Sequence, residues 1–253
     1  MLRVVFVLLG LAIGSVQAAE PLKLRMAIEG AYPPFSEKVK GGFKGFDVDI
    51  ANALCSRLKA KCTLVQRDWD SIQDALLNKE VDAIVASMSI TAERKQRFAF
   101  TDKYYHAAAR FVGKQGMSLK LDPADLSGKR IAVQQNTVHD RYMTRMWSQV
   151  AQIQRFKTLP QATKALESGQ VDAVLGDGLA LASSFVDKPD GKGFDFTGPA
   201  LTDPAFFGEG IGIAVRKQDA ELKRSLDEAL HALRADGTYK ALVARYFTFN
   251  IDG

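Results

Sequence analysis

A strand runs directly into a helix in the stretch Val81-Asp82-Ala83-Ile84-Val85-Ala86-Ser87-Met88-Ser89-Ile90-Thr91-Ala92-Glu93-Arg94. Its apolar first half predicts a buried strand, and Thr91 is suited to cap the helix that follows. Arg94 would then be the third helical residue, where the macrodipole disfavours a cation by about 0.3–1 kcal/mol. The free N–H groups of a helix start and a guanidinium together suit a carboxylate or a phosphate. The alternative is that Arg94 pairs with Glu93 or another acid on a solvated surface.

Part of this stretch recurs ninety residues later in the chain. Ala75-Leu76-Leu77-Asn78-Lys79-Glu80-Val81-Asp82-Ala83-Ile84-Val85 matches in outline Ala165-Leu166-Glu167-Ser168-Gly169-Gln170-Val171-Asp172-Ala173-Val174-Leu175. The offset is too long for a solenoid repeat and suits two lobes of similar fold, although helix-turn-strand units of like composition also match by chance. In the repeat interpretation, Ser87 and Asp177 stand at equivalent strand ends, where open α/β sheets place their ligand crevice.

Strands and helices alternate along the rest of the chain, which predicts an α/β fold with mainly parallel sheets flanked by helices. The expected strands are 22–28, 63–66, 81–86, 129–133 and 211–215, and the expected helices are 71–78, 222–233, 239–246 and one that Asp47 caps. Extended or glycine-rich segments at 104–112 and 206–210 predict two crossings between two lobes. We therefore expect one lobe to contain 19–107 and the returning segment 206–253, and the other to contain 108–205.

Charge and hydropathy argue against a nucleic-acid-binding protein and against a membrane-spanning one. The formal net charge is +5 over 253 residues, but basic residues alternate with acids and form no stripe for nucleic acid. Residues 1–18 have one early cation and an apolar stretch too short for a membrane span, which is typical of a cleaved secretory signal peptide. We expect an exported, soluble chain; retention of the signal as an anchor is the alternative.

The two cysteines, Cys55 and Cys62, are seven residues apart. An oxidising compartment favours a disulfide between them, and closing this short loop would contribute about 2–3 kcal/mol. Metal binding is the weaker alternative, because neither cysteine has a neighbouring histidine or third thiol.

The catalytic residue types form no recognisable motif. The three histidines lie in unrelated segments, and no Gly-x-Ser-x-Gly, His-Glu-x-x-His or phosphate-loop pattern is present. A cleft for a zwitterion needs less: an arginine for the carboxylate and an acid for the ammonium, which Arg94 and Asp177 can supply. Tyr32 and Trp69 follow predicted strands near Glu29, and either pack in the core or flank a ligand side chain.

Taken together, these motifs make the chain resemble the amino-acid-binding periplasmic proteins of ABC importers, solute-binding protein family 3. Within that family it most resembles the lysine/arginine/ornithine and histidine binders. The motifs that carry the resemblance span the mature chain and are Tyr32-Pro33-Pro34-Phe35, Gly45-Phe46-Asp47-Val48-Asp49, Cys55 with Cys62, Ser87 to Thr91 with Arg94, Phe98-Ala99-Phe100-Thr101, Val171 to Asp177, Phe207-Gly208-Glu209-Gly210 and Asp236-Gly237-Thr238-Tyr239.

The resemblance implies a type II periplasmic-binding-protein fold whose two lobes close on an amino acid and whose closed form is recognised by a membrane permease. It also implies a monomer in the periplasm, with no enzymatic activity, cofactor or metal. Arg94 would hold the ligand α-carboxylate. The backbone N–H groups of Ser89 and those near Thr137 and Val138 would also bind this carboxylate. Asp177, the Ser87 carbonyl and the Ser89 hydroxyl would bind the α-ammonium.

The side-chain pocket departs from the pattern of the related binders. Tyr32 and Trp69 would flank the ligand side chain and Glu29 would meet a cation at its far end, where relatives often have aspartate. The other departures are Ala86 for serine, Gln134 for leucine, and Asn136-Thr137-Val138-His139 for Gly-Ser-Thr-Gln. Arginine, ornithine, lysine or histidine is the expected ligand. An opine or another guanidinium compound, a sensor role, and a dehydratase-like enzyme using His139 or Glu29 as its acid are the alternatives.

Overall fold

The computed structural model describes residues 20–248 and Ile251, so the predicted signal peptide at 1–18 lies outside the described residues. Its strands are β1 (Lys23–Ile28), β2 (Ala31–Tyr32), β3 (Ser36–Val39), β4 (Gly42–Lys44), β5 (Lys61–Gln66), β6 (Ala83–Ile84), β7 (Phe98–Phe100), β8 (Ala109–Lys114), β9 (Arg130–Gln134), β10 (Gln152–Phe156), β11 (Ala173–Asp177), β12 (Phe194–Leu201) and β13 (Ala214–Arg216).

Helices separate most of these strands, as the alternating pattern predicts. They are α1 (Phe46–Arg57), α2 (Trp69–Leu77), α3 (Ala92–Arg97), α4 (Pro123–Leu126), α5 (Val138–Trp147), α6 (Leu159–Glu167), α7 (Gly178–Leu181), α8 (Pro204–Phe207), α9 (Ala220–Ala235) and α10 (Thr238–Tyr246), with a π-helix at Ala182–Val186 and a 3₁₀ turn at Pro189–Gly191. In the part of the chain that the structure describes, no helix is long and apolar enough to cross a membrane.

Two five-stranded sheets form the two lobes, which confirms the predicted two-lobe α/β fold. The first has the order β5-β1-β6-β13-β7 and the second the order β10-β9-β11-β8-β12. In each sheet three neighbouring strands run parallel, and the strand that enters from the other lobe, β13 or β8, pairs antiparallel with both its neighbours. A strand that arrives across the hinge has no crossover helix to impose the parallel direction, so both sheets are mixed.

The internal repeat adopts the same structure in both lobes. Asp82 accepts the backbone N–H of Arg25 at 2.9 Å and binds its guanidinium, and Asp172 does the same with Arg130 at 2.8 Å. The backbone N–H of Asp82 donates to the carbonyl of Arg25, and that of Asp172 donates to the carbonyl of Arg130, both at 2.8 Å. Residues ninety positions apart therefore make equivalent hydrogen bonds, which composition alone does not explain.

The start of α1 corrects one prediction. Asp47 does not cap this helix: the N-cap position is Gly45, whose φ is 132°. A Cβ there would lie 2.2 Å from the carbonyl oxygen of Phe35, so the close approach of two chain segments requires glycine. The preceding turn-rich stretch also forms the small antiparallel sheet β2-β3-β4, which the sequence analysis did not predict.

Aromatic packing and a disulfide hold the first lobe together. Phe35 stacks on Tyr105 with ring centroids 4.9 Å apart, and Phe46 packs against Tyr104 at 6.2 Å, which ties the first crossing to α1. The predicted disulfide between Cys55 and Cys62 is present, with Cα atoms 6.0 Å apart. It joins the end of α1 to the start of β5.

The two crossings lie side by side at the hinge. The N–H of Ile211 bonds the carbonyl of Tyr105 at 2.9 Å, and the N–H of Glu209 bonds that of Ile90 at 3.0 Å. The bounds of the lobes, 19–107 with 206–253 and 108–205, stay our proposal. The rings of Phe206 and Tyr142 lie 5.2 Å apart, so α8 packs on the second lobe immediately before its chain returns.

Candidate functional site

A cavity lined by residues of both lobes lies between them. The structure brings eleven of the twelve predicted site residues around it; only Asp177 faces an adjoining cavity instead. The eleven lining residues are Glu29, Tyr32, Trp69, Ala86, Ser87, Ser89, Arg94, Gln134, Thr137, Val138 and His139.

Arg94 is a buried cation at the start of α3, where Thr91 is the N-cap as predicted and accepts the Arg94 N–H at 3.2 Å. The side chain is 5 % exposed, and its Nη1 donates to the carbonyl of Ser89 at 3.0 Å. No carboxylate of the described residues forms an ion pair with it, and Glu93 pairs with Arg141 instead. Burial, with the nearby Arg141 charge, lowers the pKa of Arg94 to about 10. The surface-pair alternative is therefore wrong.

The cavity lining includes Ser89 from the first lobe and the start of α5 from the second. In the first lobe Ser89 stands opposite Ile211 of the returning segment. The hydrogen bonds on either side are donated by Ile90 and Gly212, so the Ser89 N–H points away from Ile211. On the second lobe, Thr137 caps α5 by accepting the N–H of Asp140 at 3.2 Å. The first N–H groups of that helix have no intrahelical acceptor, which makes this end attractive to an anion.

Asp177 ends β11 and caps α7. Its Oδ1 accepts the N–H groups of Leu179 and Ala180 at 2.8 and 3.0 Å. The side chain is 6 % exposed. Burial raises the pKa of Asp177 to about 6, against the smaller opposing effects of the two N–H groups and of the Tyr105 hydroxyl. A cation beside it would restore the charged form.

The structure reveals a supporting group that the sequence analysis missed. Ser87 has a φ of 51°, a strained conformation for serine, and its Oγ donates to Asp47 at 2.9 Å. Tyr104 donates its hydroxyl to Asp47 at 2.7 Å, and burial raises the pKa of this carboxyl to about 6. A signal was available: Asp47 shares the buried face of α1 with Ala51 and Leu54, four and seven positions further along the helix.

Glu29 lies 3 % exposed and contacts the second lobe directly. Gln134 donates from Nε2 to Glu29 Oε1 at 2.8 Å and to the carbonyl of Lys157 at 3.2 Å. Burial raises the pKa of Glu29 to about 7, with the carboxylates of Asp47 and others adding to the rise. No cation of the described chain pairs with it.

Trp69 and His139 complete the walls. Trp69 donates its indole N–H to the Asn136 carbonyl at 3.2 Å, and the Arg94 guanidinium lies 5.3 Å from its ring centroid. Desolvation in the cleft and the Arg94 charge lower the pKa of His139 to about 3, so its imidazole is neutral near pH 7. No cluster of three metal-ligating side chains occurs in residues 20–248.

Polar contacts across the mouth of the cleft hold the lobes together. Asn136 donates to Asp70 at 2.7 Å, Gln135 donates to the other oxygen of Asp70, and Arg141 pairs with Glu93. The cavity is therefore enclosed by both lobes, and a ligand inside it would be out of bulk water.

A two-lobe α/β chain with an enclosed polar cavity at its hinge has the architecture of a solute-binding protein. The chain belongs to the bacterial extracellular solute-binding proteins, family 3, whose model matches residues 24–249.

Three relatives are similar over nearly the whole chain. An L-arginine-binding protein of Pseudomonas aeruginosa is 44% identical, over 91% of this chain and 90% of its own. The lysine/arginine/ornithine-binding periplasmic protein of Escherichia coli is 38% identical, over 94% and 93%. The histidine-binding periplasmic protein of Salmonella typhimurium is 37% identical, over 93% and 92%.

The fold is likewise similar to a solved structure. An ancestral arginine-binding protein bound to arginine matches with a TM-score of 0.80 and 33% identity, over 89% of this chain and 98% of that chain. The predicted family and the fold class are thereby confirmed.

Proposed function

We propose that this protein binds a cationic L-amino acid in the cleft between its lobes. The carrying observation is the charge pattern of the cleft: one buried cation, Arg94, and two buried carboxylates, Glu29 and Asp177, none of them ion-paired within the described chain. An amino acid with a cationic side chain carries the complementary set of one negative and two positive charges. Burying each charge unpaired would cost several kcal/mol, so the ligand offsets all three costs at once.

In this proposal each end of the ligand has a separate set of partners. Arg94 binds the α-carboxylate with the N–H groups of Ser89, Thr137 and Val138, which come from both lobes. Asp177, the Ser87 carbonyl and the Ser89 hydroxyl bind the α-ammonium. The side chain extends between Tyr32 and Trp69 to Glu29, and the residues that shape its far end are Ala86, Gln134 and His139.

We further propose that the protein works in the periplasm and delivers its ligand to the permease of an ABC importer. Two of the relatives are named as periplasmic proteins, which supports this location. Export would use the signal peptide expected at residues 1–18, and the chain would act as a monomer.

We propose that the protein binds its ligand and catalyses no reaction on it. The relatives are named as binding proteins. Of the two candidate acids of the dehydratase alternative, His139 has a pKa of about 3 and holds no proton to donate near pH 7. Glu29, whose pKa is about 7, could hold one, and we assign it instead to the cation of the ligand side chain.

Isothermal titration with arginine, lysine, ornithine and histidine tests the proposal, with Arg94→Ala as the decisive variant. Loss of this buried contact should weaken binding by about 2–5 kcal/mol. Arg97→Ala is the matched control, because Arg97 lies on the same helix but is exposed and pairs with Asp74 at 3.5 Å. If none of the four ligands binds more tightly than about 1 mM, the proposal is wrong.

A further inference from the structure

A second cavity adjoins the first on its hinge side. It shares five lining residues with the first cavity. The shared residues are Tyr32, Ser87, Ser89, Val138 and His139. Asp177 lines only this second cavity, which continues past it to His106, Thr202 and Gly208 near the two crossings.

This arrangement locates the ligand α-nitrogen, on the assumption that the proposed function is correct. The α-ammonium must contact both Asp177 in the second cavity and Ser87 at the boundary between the two. The nitrogen therefore lies at the junction. A free amino acid ends there, whereas a group attached to the nitrogen would continue into the second cavity without displacing the α-carboxylate or the side chain.

The second cavity carries little charge of its own. Asp177 is its one formally charged lining residue, since His106 and His139 are neutral near pH 7: desolvation lowers the pKa of both, helped by Lys103 and Arg94 respectively. The remaining walls include Ala107, Ala109, Val138, Phe207 and Ile211. A carboxylate placed here would face Asp177 with no lining cation to offset it.

We propose that this second cavity is a subsite for an uncharged substituent on the ligand α-nitrogen, so that the protein binds Nα-alkylated cationic amino acids as well as the free ones. A secondary ammonium keeps one positive charge and two N–H donors, enough for Asp177 and the Ser87 carbonyl. The alkyl group would be buried against the apolar walls, which offsets the loss of the third donor.

A matched ligand pair tests the proposal by titration calorimetry: Nα-butyl-arginine and Nα-(3-carboxypropyl)-arginine, which differ at the end of a chain of similar length. The butyl compound should bind within tenfold of arginine, and the carboxylate compound at least a hundredfold more weakly. A butyl compound more than tenfold weaker than arginine overturns the subsite. A carboxylate compound that binds as well as the butyl one overturns its preference for uncharged groups. Failure of arginine itself to bind would instead refute the proposed function.

Thr202 offers a variant that separates the two cavities, because it is exposed at the second cavity and does not line the first. Thr202→Trp should leave arginine affinity within threefold of wild type and weaken Nα-butyl-arginine at least tenfold. Thr202→Ala is the control and should change neither. The proposal is contradicted if Thr202→Trp weakens the binding of arginine and of Nα-butyl-arginine equally, or if it weakens the binding of neither.

Discussion

Arg94, Glu29 and Asp177 are ionisable side chains that the folded chain buries without pairing. Glu29 and Asp177 have raised pKa values and Arg94 a lowered one, and in each case burial is the main cause. A protein tolerates such costs where a ligand removes them, which is why these three residues define the site more sharply than the aromatic residues around them.

Glu29 should be the residue that distinguishes a cation from a neutral isostere. Wild type should bind arginine more tightly than citrulline, which has the same shape without the positive charge. Glu29→Gln should lose about 2–5 kcal/mol of arginine affinity and most of this discrimination, because the buried cation loses its counter-charge. Calorimetric titration of wild type and Glu29→Gln with arginine and with citrulline measures both affinities and therefore the discrimination.

Glu37→Gln is the control for Glu29, since Glu37 is a glutamate of β3 that pairs with Lys44 at 3.0 Å outside the cavity. Unchanged arginine selectivity in Glu29→Gln would contradict the assignment of Glu29 to the ligand side chain.

The same carboxylate predicts a pH dependence. With a pKa of about 7 in the empty cleft, Glu29 is mostly protonated below that pH and must release a proton to bind a cation. Arginine affinity should therefore rise with pH up to about 7 and level off above it, by at most about tenfold per pH unit where Glu29 alone titrates, and more steeply below about pH 6, where Asp177 also releases a proton. Calorimetry between pH 5.5 and 8 measures it, and Glu29→Gln should show a shallower slope. An affinity that falls as pH rises would contradict the prediction.

At the scale of elements, the site depends on how α1 supports the end of β6. Asp47 in the first turn of α1 accepts hydrogen bonds from the hydroxyls of Ser87 and Tyr104. The bond from Ser87 holds that residue in its left-handed conformation. The carbonyl of Ser87, proposed to bind the ligand ammonium, is thereby fixed by a residue that does not line either cavity.

Asp47→Leu should weaken arginine binding about tenfold or more and destabilise the fold by about 1–3 kcal/mol, because two hydroxyls lose their acceptor. Asp47→Asn keeps an acceptor oxygen and a similar shape, and should lose far less of both. Calorimetry and chemical denaturation measure the two effects. An Asp47→Leu variant that unfolds more readily but binds arginine normally would show that Asp47 is structural only.

At the scale of the whole molecule, polar contacts between the lobes stabilise the closed cleft independently of the ligand. Asp70 accepts two amide donors from Gln135 and Asn136 of the other lobe, and Glu93 pairs with Arg141. Apparent affinity is the intrinsic affinity multiplied by the fraction of closed molecules, so these contacts tune binding from outside the cavity.

Asp70→Ala should raise the Kd for arginine several-fold and increase the radius of gyration of the ligand-free protein in small-angle X-ray scattering. Asp74→Ala is the matched control, because Asp74 lies on the same helix but pairs with Arg97 within its own lobe. Equal effects of the two substitutions would argue against a role of Asp70 in closure.

Much of the fold follows from patterns within a few residues of each other. The Thr91 cap, the cysteines seven residues apart and the repeated helix-turn-strand unit are local, and all three are present in the structure. The cap of α1 was predicted wrongly because Asp47 satisfies the rule for an N-cap, while the contact that requires glycine at position 45 comes from Phe35, ten residues away.

The sequence by itself placed Ser87, Asp177 and Arg94 at sheet edges, since strand ends and helix starts put polar groups there whatever the details of packing. The family and the other residues around the cavity were predicted from the resemblance of the sequence to known binders. Only the tertiary structure decided that Gln134 bonds Glu29 across 105 positions of sequence, that Asp47 supports Ser87, and that Asp177 faces a cavity of its own. These contacts join segments from different elements or lobes. Their geometry depends on how the lobes pack, which no local pattern of residues encodes.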